Sequence, residues 1–192
     1  MGKREEQKLE RRQQILDVSL NYFVTRGYHG TTIRDIAKEV NMSVGLMFHY
    51  FESKEVLYTE LLKYAAQGSS FTQQMSFENQ TPLTIFSKIS EMIFDSFTTY
   101  PQSTNYFLLV KQALSATYLT EEMQEIIKSM NAINAFVPLI EAGQQLGEIK
   151  DGEPLALSMA FYSAIQGIAE SLVCFPDLPI PKAEWIVAIL KK

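Results

Sequence analysis

Apolar positions recur at three- and four-residue intervals along most of this chain, and sustained alternation with period two is absent. Ile15, Leu16, Leu20, Phe23 and Val24 mark one face of a first helix, and Gly27 is placed to stop it. Ile33, Ile36, Ala37 and Val40 form the apolar side of a short second helix, with Thr32 and Asp35 at the spacing of an N-terminal capping pair. Ser43 can cap a third helix ending near Tyr50, and Ser53 a fourth in which Val56, Leu57, Leu61 and Leu62 face inward. No hairpin signal interrupts the pattern.

All seven prolines lie beyond residue 81. Pro82, Pro101 and Pro154 suit helix starts, where a missing N–H costs nothing. Pro138 falls inside an otherwise helical run from Glu121 to Leu146, which predicts a kink, and Gly147 ends that run. "FPDLPIP", Phe175 to Pro181, reads as a rigid connector before a short last helix. The weakest helical stretches are "GSS" at Gly68 to Ser70 and "FENQT" at Phe77 to Thr81, and the domain linkage is expected around them. The pattern is all-α. It predicts an N-terminal three-helix helix-turn-helix unit over residues 9–69 and a helical bundle over residues 70–192.

Composition changes this picture little. Of 192 residues 46% are hydrophobic and 20% charged, an ordinary globular balance. The single cysteine, Cys174, allows no internal disulfide and no Cys-based zinc site, which fits a reducing cytoplasm. "MGKREEQKLERRQQ" is charged throughout and does not read as a signal peptide. Leu155 to Phe175 is rich in apolar residues but broken by Ser158, Ser163, Gln166 and Glu170, so a membrane span is not expected.

Charge matters more. A net charge of −5 argues against a nucleic-acid partner until the chain is divided. Residues 1–66 carry 10 Lys+Arg against 9 Asp+Glu, whereas residues 67–192 carry 7 against 13. The acidity belongs to the C-terminal two-thirds, and DNA binding by the N-terminal third stays open.

Two short helices joined by a three- or four-residue turn, here about residues 32–51, have the form of a helix-turn-helix. "ILDVSLNYFVTRGYHGTTIRDIAKEVNMSVGLMFHYFESKEVLY", Ile15 to Tyr58, goes further. Its "RGY" and "TTI" lead-in, the "IA" of the second helix, the Ser-X-Gly start of the third and the "HYF" and "SKE" exit resemble the tetracycline-repressor (TetR) family of transcriptional regulators. This resemblance implies that the third helix enters the major groove of double-stranded operator DNA. It implies phosphate contacts from Thr31, Thr32, Ser43 and Lys54, and close approach of the backbone to DNA at Gly45. Phe48 and His49 stand where the family sets Tyr and His against the sugar-phosphate backbone, while Tyr50 and Phe51 anchor the helix to its domain. Val44 replaces a residue that is often basic, and Phe48 the usual Tyr, so two phosphate donors are missing. Base reading then falls to Val44, Leu46 and Met47, with Arg34 and Lys38 as polar candidates; Met47 can equally point inward. Apolar side chains contact thymine methyls, which favours a site containing A/T pairs. Lys3, Arg4, Lys8, Arg11 and Arg12 can track phosphate, or form a solvated run offset by Glu5, Glu6 and Glu10.

The resemblance further implies an apolar ligand pocket in the C-terminal bundle. Tyr100, Tyr106, Phe107, Met123, Met130 and Phe136 are its candidate lining, and ordinary core packing explains the same residues. Glu91, Asp95, Glu141 and Glu170 are candidate partners for a cationic ligand. Leu155 to Phe175 is apolar on nearly every side, which predicts a homodimer interface built by Met159, Tyr162, Ile165, Ile168 and Leu172 with Ile186 and Ile189 of the last helix. No catalytic constellation assembles from two distant histidines and one cysteine, so neither enzyme activity nor a cofactor or metal is expected. The expected function is that of a cytoplasmic, homodimeric DNA-binding regulator, a repressor released from a pseudo-palindromic operator by a small apolar ligand. The alternative is a ligand-binding or adaptor protein that keeps the fold without specific DNA binding.

Overall fold

The structure, a computed structural model, describes the backbone of residues 2–74 and 79–192 and the side chains of residues 2–68 and 79–192. Its helices are α1 (Lys3–Gly30), α2 (Ile33–Glu39), α3 (Val44–Tyr50), α4 (Lys54–Gln74) and α5 (Pro82–Thr99). They continue with α6 (Ser103–Leu114), α7 (Glu121–Ser129), α8 (Ala132–Gln145), α9 (Pro154–Cys174) and α10 (Ala183–Val187). The β-type pairing among the described residues is one isolated bridge between Ile149 and Lys191.

Local chemistry sets most boundaries. Gly27, at φ 73°, breaks the regular helical geometry of α1 and leaves Tyr28–Gly30 as a final turn. Thr32 Oγ1 accepts from Asp35 N (3.2 Å), Ser43 Oγ from Leu46 N (3.1 Å) and Ser53 Oγ from Val56 N (3.2 Å). Each cap satisfies an N–H that the first helical turn leaves without a backbone partner. Pro82 and Pro154 stand in the first turns of α5 and α9.

Several expectations are corrected. The run from Glu121 to Leu146 is two helices, because Asn131 Oδ1 accepts from Asn134 N (3.2 Å) and starts α8 afresh. Pro101 lies ahead of α6, its carbonyl accepting from Thr104 Oγ1. Val56 is exposed, while Leu57, Leu61 and Leu62 are buried. The helix α4 continues through Gly68 to Ser70. Of the "FENQT" stretch, Phe77 and Glu78 lie outside the described residues, and Asn79 has φ 61°.

Two apolar cores organise the chain. The first joins α1–α4 to α6 and α7 through Leu16, Phe23, Met47, Leu61, Leu109 and Met123. The second joins α5, α8, α9 and α10 through Phe86, Ile140, Phe161, Ile165 and Val187. Helices α6 and α7 therefore bury one side against the N-terminal head. The helix α9 is long and apolar enough to cross a membrane by length and composition, with mean hydropathy 1.2, yet only 22% of that stretch is buried in the subunit. Phe161, Ile165 and Ala169 pack inward, while Leu155, Met159 and Gly167 lie on exposed positions.

Gly143 marks the tightest packing around α8. A Cβ there would lie 2.6 Å from Ile149 Cγ1 and 3.2 Å from Pro82 Cβ, and Ile149 is fully buried. Gly143→Ala is expected to destabilise the fold by about 1–3 kcal/mol through overpacking. Thermal unfolding that matched the wild type would show that Ile149 can move aside.

Candidate functional site

The placement of α3 follows from what its inner face buries. Met47 and Phe51 are inaccessible to solvent, and Tyr50 packs partly against the same core. The turn before it passes through Asn41 at φ 51°, a left-handed conformation that Asn tolerates better than most residues. Met42 N donates to Ala37 O (2.8 Å), and Arg11 Nη2 donates to Val40 O (2.8 Å), tying α1 to the turn. Arg12 lies 4.8 Å over the Phe51 ring and pairs with Glu60 at 2.8 Å. Arg11 and Arg12 are thus occupied in holding α3.

The outer face of α3 is exposed and largely apolar. Leu46 is 47% and Phe48 48% exposed, and Val44, Gly45 and His49 share that exposure. A Cβ at Gly45 would meet nothing within 4 Å, so nothing inside the subunit requires glycine there. Ser43 is exposed; its oxygen caps the helix and its hydrogen stays available. Thr32 and Arg34 are also exposed, with Thr32 Oγ1 donating to Asp35 Oδ2. That bond holds the Asp35 carboxyl below its ordinary range.

Three residues differ from their expected roles. Met47 is buried and reads nothing. Thr31 is buried too, its hydroxyl directed at Gly27 O (2.9 Å) and Tyr22 O (3.0 Å), which accept it inside the head. Lys54 Nζ donates to Tyr28 O (2.9 Å) and Thr31 O (3.2 Å) and sits 4.1 Å over the Tyr28 ring. A cation there offsets the partial negative charge of the carbonyls that end α1. Lys54 is first a clamp between α1 and α4.

That clamp belongs to an aromatic cluster which the sequence patterns did not reveal. Tyr28 stacks on Tyr118, from the segment between α6 and α7, at 4.2 Å, and Tyr58 meets both rings edge-on. Tyr28 Oη donates to Glu55 Oε1 (2.7 Å), and the Tyr58 and Tyr118 hydroxyls lie 3.3 Å apart. Burial is the main cause raising the Tyr28 and Tyr58 phenols above their ordinary range, while the Tyr28 hydroxyl holds Glu55 below its own.

A cavity of about 440 Å³ lies between α4, α5, α6, α8 and α9. Tyr106, Phe107, Met130 and Phe136 line it as expected. Tyr100 is 64% exposed and Met123 is buried in the first core, so neither is among the lining residues. Tyr64, Ala65 and Gly68 of α4 had no apolar-pocket signature, yet they form part of the wall. Glu91 and Asp95 lie in a separate, open surface depression, and Glu170 is paired with Lys111. Glu141 is exposed and is also not among the lining residues.

The expected dimer face is redrawn. Ile165 and Ile186 are buried in the subunit's own core, and Tyr162 lines the cavity. Ile168, Leu172 and Ile189 are half-buried beside the second core. Met159, at 53% exposure, stays on the outside of α9 with Leu155 and Gly167.

Lys54→Ala removes two hydrogen bonds and a cation–ring contact, whereas Lys54→Met keeps the stem. Both are expected to lower stability by about 1–3 kcal/mol, in proportion to the charge-assisted bonds lost. Unchanged thermal unfolding in both variants would contradict the clamp.

Comparison with known proteins agrees with this geometry. The family model for bacterial regulatory proteins, tetR family, matches residues 15–61. The chain is 26% identical over 154 residues to the fatty acid metabolism regulator protein of Bacillus subtilis (strain 168), covering 79% of this chain and 77% of that one. It is 40% identical over 53 residues to the HTH-type transcriptional repressor KstR2 of Rhodococcus jostii, covering 28% and 26% respectively. The crystal structure of the MbdR regulator from Azoarcus sp. CIB shares the fold, with TM-score 0.75 and 20% identity over 94% of this chain and 96% of that one. The matched head, the exposed outer face of α3 and the helical body behind it lead to one conclusion: residues 15–61 are a DNA-binding head of the tetR family of bacterial regulatory proteins, on a body that shares the fold of a solved regulator.

Proposed function

We propose that this regulator is a homodimeric repressor that holds a pseudo-palindromic operator and releases it when a small, largely apolar molecule enters the cavity. The observation that carries the DNA half of this reading is Gly45. It stands on an exposed helix face with open space where a side chain would project, a residue choice that close approach to a duplex backbone explains. Ser43 supplies a phosphate contact beside it through its uncommitted hydroxyl hydrogen, whereas the Thr32 hydroxyl is held by Asp35. Val44, Leu46 and Phe48 offer methyl and ring surface to thymine methyls, with His49, Arg34 and Lys38 at the polar margin. The third N–H of Lys54 is free of the two carbonyls and serves as a phosphate donor secondary to its clamp role.

Dimerisation explains why one face of an apolar helix is left uncovered in one subunit. Two copies of α9, packed through the face bearing Leu155, Met159 and Gly167, bury that surface around a two-fold axis. The same axis relates the two α3 helices, hence operator half-sites about 34–36 Å apart or a multiple of that. No catalytic role is proposed.

Ligand control rests on the cavity and on α4. One helix begins at the Lys54 clamp and lines the cavity with Tyr64, Ala65 and Gly68. A ligand that shifts α4 changes the separation of the reading helices and weakens both half-sites together. A relative named for fatty acid metabolism is in keeping with an apolar effector.

Selection of bound sequences from random duplex DNA tests the reading. The expected product is a two-fold symmetric site, and an unsymmetrical single half-site would contradict it. Gly45→Leu is expected to leave thermal stability within about 0.5 kcal/mol, as a surface change does. It should weaken operator binding by at least about tenfold, because the added side chain holds α3 away from the groove. Retained affinity in that variant would remove Gly45 from the interface.

A further inference from the structure

The cavity's chemistry narrows what it can accept, and this inference rests on the ligand-controlled reading above. No Lys, Arg, Asp or Glu is among its described lining residues. A charged group placed inside would lose its hydration without a partner, a cost that favours neutral molecules. The lining hydroxyls are not equivalent. Ser96 Oγ donates to Ile93 O (2.6 Å), and Ser103 Oγ donates to Ser96 O (3.1 Å), so both hydrogens are already placed. Burial first, and then the charges of Asp17 and Tyr64, push the Tyr106 phenol up to about 12.

Tyr162, on α9, differs from the two serines and shares with Tyr106 a hydroxyl without a described partner. Its phenol is raised by burial alone, and among the described residues no group hydrogen-bonds its hydroxyl. It stays protonated through the physiological range, so it offers a donor and no charge. A half-buried hydroxyl on a cavity wall, with no described acceptor, gains a hydrogen bond when a guest brings one.

We infer that the effector is an uncharged, predominantly hydrocarbon molecule carrying an acceptor oxygen such as a ketone or ester carbonyl, and that the Tyr162 hydroxyl donates to that oxygen. Carboxylates and amines of the same length are discriminated against by a wall whose described residues are uncharged. The role of Tyr162 is therefore ligand specificity, with the helix that carries it also presenting the uncovered outer face.

The test uses the full-length protein and N-phenyl-1-naphthylamine, a neutral fluorescent probe without a carbonyl group. Wild type and Tyr162→Phe are expected to bind the probe equally, which also shows that the variant is folded with its cavity intact. Displacement by 2-decanone is expected to be about 3- to 10-fold weaker in Tyr162→Phe, the loss of one neutral hydrogen bond. At pH 8, decanoate and decylammonium are expected to displace the probe at least about tenfold less well than 2-decanone from the wild type. Decanoate or decylammonium matching the ketone would overturn the inference, as would unchanged 2-decanone affinity in Tyr162→Phe, while leaving an apolar cavity in place. Failure of the probe itself to bind the wild type would overturn both the inference and the ligand-controlled reading.

Discussion

The structure depends on how the C-terminal end of α1 is held. At Gly27 the regular helix stops, and the carbonyls of Tyr28 and Thr31 converge on one ammonium, Lys54, at the first residue of α4. That single cation ties the end of α1 to the start of α4. The carbonyl that ends a helix is poorly satisfied by its own backbone, so a lysine brought from another helix is stabilising there in a way that a solvated one is not. Around it the Tyr28, Tyr58 and Tyr118 rings exclude water, and the Thr31 hydroxyl closes the inner side. The orientation of α3 follows, since Met47 and Phe51 can bury themselves only against the frame that α1 and α4 make.

The same constraint joins the head to the body. Tyr118 comes from beyond α6, and Gln112 Nε2 of α6 donates to Val24 O of α1 (3.0 Å), so the reading head is packed against the helices that wall the cavity. The first core contains residues from α6 and α7 as well as from α1–α4. A displacement of α4 at Tyr64 or Gly68 is therefore opposed or transmitted by packed rings, not absorbed by a loose linker. On the proposed reading, this arrangement would let what fills the cavity alter DNA affinity without a large motion.

What was legible in the sequence was mainly local. Thr32, Ser43 and Gly27 act on backbone groups within a few residues, so their spacing alone predicted their roles. The resemblance carried by Ile15 to Tyr58 proposed α3 as the reading helix, and the exposure of Val44, Leu46 and Phe48 is compatible with it. Thr31 and Lys54 were read as phosphate ligands because their partners are carbonyls brought close only by the tertiary fold. Asn131 was a capping signal inside an apparently continuous run, and its side chain ends the ambiguity between one helix and two. The pattern of α9 could not be divided from sequence. An element apolar on all sides does not say which positions face its own core, so Ile165 and Tyr162 were assigned outward while Gly167 was overlooked.

The central claim is that cavity and reading head share α4, so a guest in one and operator DNA on the other must be linked. Reciprocity makes this measurable without knowing the natural effector. The direct measurement is the affinity of N-phenyl-1-naphthylamine for the protein alone and for the protein saturated with its selected operator duplex. The account predicts that operator weakens probe binding by about 5- to 150-fold, the range of ordinary coupling energies. Equal affinities in the two titrations would contradict it, and α4 would then be a scaffold that carries no signal.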